Sequence, residues 1–119
     1  MAKLSAHGPE FARYIGKGGR LLSAREDGVV LCKSVYDRTW KLFGHKKAEL
    51  TLAEWRARKV AFVESLPAWR RDVKCLPSMA CLEEWVSDGV CETPTGDRVE
   101  PDGTGPDGAP SWLLIFGMI

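Results

Sequence analysis

Four cysteines and two histidines are the side chains here best suited to hold a metal, so their spacing decides what they can do. Structural zinc sites draw ligands in close pairs, Cys-x-x-Cys above all, because one tight turn then presents two thiolates to a tetrahedral ion. Cys75 and Cys81 stand six apart, Cys91 ten further on, and Cys32 lies far upstream on a predicted strand. That spacing favours cysteines acting as small core hydrophobes. Gly16-Lys17-Gly18-Gly19 has the glycine content of a phosphate cradle. A P-loop needs a longer Gly-x-x-x-x-Gly-Lys-Ser/Thr run opening a helix, so these residues read as a turn before a strand. Glu83 and Glu84 are adjacent on a predicted helix, about 100° apart, and do not face one another as an acid/base pair. His7 and His45 have no Ser or Cys beside them in a nucleophile arrangement. Asp97, Glu100, Asp102 and Asp107 could offer calcium its oxygen ligands, but they lack EF-hand spacing, and Asp before Gly is ordinary turn chemistry. The expectation is a protein that is not an enzyme and carries no metal or other cofactor.

Charge is the remaining signal. Residues 1 to 82 hold sixteen Lys/Arg against eight Asp/Glu, whereas residues 83 to 119 hold Arg98 alone against eight acids. The overall +1 therefore conceals +8 followed by −7. A one-signed surface concentrates oppositely charged partners around itself. The leading expectation is binding of a bacterial macromolecule, most simply a protein, by an acidic surface built from Glu92, Asp97, Glu100, Asp102 and Asp107, with Glu83, Glu84 and Asp88 nearby in sequence. The alternative is a small nucleic-acid-binding module. Arg56, Arg58, Lys59, Arg70, Arg71 and Lys74, interleaved with Trp55 and Trp69, combine phosphate-neutralising charge with rings that stack on bases. A helical wheel sends Trp55 to the apolar stripe and spreads the helical cations around the axis, which leaves Arg70, Arg71 and Lys74 as the stronger part of that set. A third reading is a structural or assembly protein, a homo-oligomer joined through its apolar tail. The plainest reading is that the acids fold against the chain's own basic part, or against a second copy.

These residues must be positioned by a chain of 119 residues, 45% hydrophobic, which suits one domain spanning residues 1 to 119. The pattern predicts an α+β fold that begins with an antiparallel β meander. Asp27-Gly28 separates two apolar runs as a hairpin turn does, and a third run, Thr39 to Phe43, alternates like a half-buried strand with Trp40 and Leu42 inward. Thr51-Leu52-Ala53-Glu54 matches a capping box opening the main amphipathic helix, Leu52 to about Leu66, with Leu52, Trp55, Phe62, Val63 and Leu66 on its inner face. A connector at residues 69 to 74 leads to a shorter helix capped by Ser78 and stopped at Asp88-Gly89. A small hairpin pairs residues 90–92 with 98–100, two Pro-Asp-Gly turns follow, and a short apolar terminal helix begins at Pro110 and ends at Gly117. The N-terminal residues before Pro9 contain no signal-peptide core, and no apolar run is long enough to span a bilayer. The expected location is the cytoplasm of a bacterial host, with the cysteines as thiols and no membrane partner.

Ser5-Ala6-His7-Gly8, the Asp27-Gly28-Val29-Val30-Leu31 turn and strand, and above all Val99-Glu100-Pro101-Asp102-Gly103 running to Pro110-Ser111-Trp112-Leu113-Leu114 resemble a family of small proteins encoded by phages and prophages of Proteobacteria, a family without an assigned activity. The resemblance implies an accessory protein, for instance an anti-defence inhibitor of the anti-CRISPR kind that acts by binding a host machine. It also implies that some relatives carry Cys and His where this chain has Gly105 and Asp107, so that any metal site held there is lost here.

Overall fold

The computed structural model describes residues 8 to 119; Ser5, Ala6 and His7 of the resemblance lie outside the described residues. Strands β1 (Glu10–Ile15), β2 (Leu21–Arg25), β3 (Val29–Lys33) and β4 (Lys41–His45) form one antiparallel sheet in chain order. Helices α1 (Leu52–Glu64), α2 (Ala68–Arg71) and α3 (Met79–Asp88) follow, then a two-stranded hairpin of β5 (Cys91–Glu92) and β6 (Arg98–Val99), then α4 (Trp112–Ile115). The fold is mixed α+β.

Local chemistry explains most element boundaries. Gly28 takes a left-handed φ of 88° at the β2/β3 turn, and its N–H donates to the Arg25 carbonyl at 3.1 Å. The capping box of α1 is complete, with the Glu54 N–H donating to Thr51 Oγ1 at 3.1 Å and the Thr51 N–H to Glu54 Oε1 at 3.3 Å. Ser78 Oγ caps α3 by accepting from the Cys81 N–H, and Gly89 closes that helix at φ 69°.

Several details differ from the sequence reading. Strand β4, the third run of the sequence reading, begins at Lys41 rather than Thr39, because the Asp37 carboxylate holds a turn: the Ser34 N–H donates to Oδ2 at 2.9 Å and Lys41 Nζ lies 2.8 Å from Oδ1. The hydrogen bond from Lys41, then that from the Ser34 backbone, lowers the Asp37 pKa to about 2, so the pair survives until pH falls toward that value. Leu42 does not point inward; it is 59% exposed, since β4 is a sheet edge and a bulge opposite Val30 and Leu31 makes Phe43 an extra residue. Of the expected inner stripe only Trp55 on α1 and Leu66 just beyond it are buried, while Leu52 and Phe62 are each 46% exposed, and the helix stops at Glu64. The stretch around Arg70 and Arg71 is helical, and Ser111 rather than Pro110 caps α4 through the Leu114 N–H.

The sheet is packed on both sides. Pairings Tyr14 with Leu22 and Ala24 with Val30 place one set of side chains beneath α1, where Trp55 and Leu66 complete a core. Ile15 and Leu21, one residue out of phase, enter a second core with Val73, Leu82, Cys91, Trp112 and Leu113. The apolar tail thus docks into the chain's own interior. Leu113→Ala is expected to cost about 2–5 kcal/mol by opening a cavity there, measured by urea denaturation; a loss below about 1 kcal/mol would show that the tail is not part of the cooperative core.

Candidate functional site

Helix α1 does not cover the whole Tyr14/Leu22 face. Between it, β4 and the segment after β4 lies a groove of about 720 Å³. Its floor is formed by buried Tyr14 and Trp55, and its walls by the rings of Phe43 and Phe62, which are 52% and 46% exposed. Tyr14 and Phe62 meet edge to face with centroids 5.6 Å apart. Trp55, Arg58, Lys59 and Phe62 reach the groove together because positions i, i+3, i+4 and i+7 share one side of a helix.

Six cations line this groove: Lys17 from the turn after β1, Lys46 and Lys47 after β4, Arg58 and Lys59 from α1, and Arg70 from α2. Among the described residues no carboxylate is in its wall. Among the described residues the ion pairs are Arg13 and Arg25 with Glu10, Lys41 with Asp37, and Arg56 with Glu26, so none of the six is neutralised. Arg70 is held in place by donating from Nε to the Ile15 carbonyl at 2.9 Å. Burial pushes the Lys59 ammonium below the ordinary lysine pKa, with no carboxylate to offset it. Burial also raises the Tyr14 hydroxyl, against the opposing pull of the Arg70 charge. A half-buried ammonium among further cations and exposed rings suits a ligand that is both anionic and flat.

The basic residues expected from the sequence are divided among several places. Arg58 and Arg70 enter the groove. Arg56 turns away, its Nε 3.1 Å from Glu26 Oε1 and its guanidinium 5.1 Å over the Phe11 ring. Trp69 packs against the second core. Arg71 lines a separate shallow cleft with Glu64 and Asp72, and Lys74 sits by Arg13, whose Nη1 donates to the Lys74 carbonyl. Lys46, Lys47, Phe43 and the floor residue Tyr14 were not singled out by sequence as site residues, and Lys17 was read as part of a plain turn, since separate short segments supply them. The spacing of Trp55, Arg58, Lys59 and Phe62 was the available signal.

None of the five expected acidic residues lines this groove. Asp107 serves its own loop: Thr95 Oγ1 donates to Oδ2 at 2.7 Å and the Ala109 N–H to Oδ1 at 3.1 Å, which holds its carboxyl below the usual range. Asp97 and Asp107 flank Gly105, where a Cβ would lie 3.0 and 3.1 Å from their carboxylate oxygens. Glu92 is half-buried, while Glu100 and Asp102 are exposed on the hairpin and the turn after it. Among the described residues no three His, Cys, Asp or Glu side chains gather as metal ligands, all four cysteines are free, and no helix is long and apolar enough to cross a membrane.

Comparison with known proteins finds no matching family model, no similar curated protein and no matching solved structure.

Lys59 provides a direct reporter of the groove. Its side-chain resonance is expected to titrate below the ordinary lysine value in the free protein and to move upward when a polyanion fills the groove, because phosphate favours the charged form. An upward pKa already present in the free protein would contradict the desolvated environment.

Proposed function

We propose that the protein is a non-catalytic binding module whose groove holds single-stranded nucleic acid. The observation that carries this reading is the set of six uncompensated cations around the exposed rings of Phe43 and Phe62. Backbone phosphates meet the cations, and unpaired bases lie against the rings, each stack contributing about 1–3 kcal/mol. A duplex keeps its bases stacked on one another and gains only the electrostatic part. The near-neutral net charge does not oppose this, since an encountering strand responds to the local field of the groove face. The resemblance of the Val99 to Leu114 block to phage and prophage proteins supports an accessory role inside a bacterial cell.

A labelled oligothymidylate in fluorescence anisotropy tests the reading. Affinity is expected to fall with salt, and Arg58→Ala to flatten the logarithmic slope by about 0.7, the share of one released counterion on a single strand. Phe62→Ala is expected to weaken binding by about 5- to 150-fold while leaving much of that slope. Arg56→Ala, on the far side and already paired with Glu26, is expected to leave the slope unchanged. Absence of binding at low salt, or equal effects of Arg56→Ala and Arg58→Ala, would overturn it.

A further inference from the structure

We propose that the groove of one molecule also accepts the outer face of α3 from a second copy of this chain, so that the protein associates head to tail and nucleic acid competes with that association. The proposal rests on the groove being an anion site, as read above.

Helix α3 buries Leu82 and turns a continuous arc outward. At 100° per residue the arc runs through Val86, Glu83, Ser87, Glu84 and Asp88, all exposed. No Lys or Arg occurs in this helix, and none of its three carboxylates is in an ion pair among the described residues. Val86 is 53% exposed beside them. The arc therefore offers an aliphatic side chain beside negative charge, and the groove offers exposed rings beside positive charge. Each surface supplies what the other lacks.

A molecule cannot satisfy its own groove in this way. Leu82 of α3 belongs to the core under Ile15 and Leu21, whereas the groove opens on the opposite face of the sheet, beside Tyr14 and Leu22. The contact joins two different surfaces, so a bound pair still has one free groove and one free α3. Such heterologous contacts propagate into open chains unless a rotation closes them. Exposed ion pairs each contribute little, which makes the association reversible and strongly salt-dependent. A nucleic acid strand, with its denser charge, displaces α3 from the groove and breaks the chains.

Sedimentation velocity on the whole protein tests this. At about 0.01 M salt, where charges act over roughly 30 Å, the average mass is expected to climb with protein concentration; at about 1 M, where the range is roughly 3 Å, it is expected to remain that of a monomer. The double variants Glu84→Gln/Asp88→Asn and Lys47→Glu/Arg58→Glu alter exposed positions only. Each alone is expected to stay monomeric, and an equal mixture to form one-to-one dimers and nothing larger. Oligothymidylate is expected to dissolve the wild-type chains. A wild-type protein that is monomeric at low salt, or chains that grow undiminished in both variants, would overturn the proposal. The two readings fail separately: chains without oligothymidylate binding would remove the nucleic-acid function alone, and binding without chains would remove the self-association alone.

Discussion

Successive side chains of a β-strand leave it on opposite faces, and in β1 and β2 both faces are buried. Tyr14 and Leu22 enter the core under α1, while Ile15 and Leu21 enter the core shared with α3, β5 and α4. A one-residue slip between these strands would exchange the two sets, placing the Tyr14 ring among the close-packed residues of the second core. This double burial pins the register. It also sets the Tyr14 floor of the groove and the core that anchors α3, β5 and α4 on opposite faces of the sheet.

The groove works against stability. Six cations share one concavity without a carboxylate, and Lys59 is partly desolvated there. Bound anions that relieve this repulsion would stabilise the folded state by mass action. Elements around the site offset the strain: the capping box starts α1, Trp55 packs edge to face on Phe11 with centroids 5.4 Å apart, and Arg70 is tied to the Ile15 carbonyl. By contrast, Glu10 sits between Arg13 and Arg25 and accepts from Ser23, so charge on the opposite face is locally balanced.

Features set by neighbouring residues were legible in the sequence. The Asp27-Gly28 turn, the Thr51 capping box, the Ser78 cap, the hairpin of β5 and β6 and the docked tail all follow from short-range stereochemistry or from a plainly apolar run. Features set by packing were not. Nothing local to Leu42 and Phe43 marks β4 as a bulged edge whose apolar side chains face solvent. Half of the groove's cations, Lys17, Lys46 and Lys47, come from turns that only the sheet brings beside α1. The run from Arg56 to Lys74 looked like one basic patch because it is contiguous in sequence, yet helix geometry sends Arg56 and Arg58 to different sides.

The central claim is that the uncompensated cations beside Tyr14, not the basic run as a whole, meet the anionic ligand. Amide chemical-shift mapping on labelled protein during an oligothymidylate titration tests it most directly. The expected result is perturbation of the residues around Tyr14, Phe43, Lys46, Arg58 and Phe62, joined only by the outer face of α3 where self-association is relieved, with Arg71, Lys74 and the C-terminal hairpin unmoved. Perturbation centred on Arg71 and Lys74, with the groove silent, would contradict it.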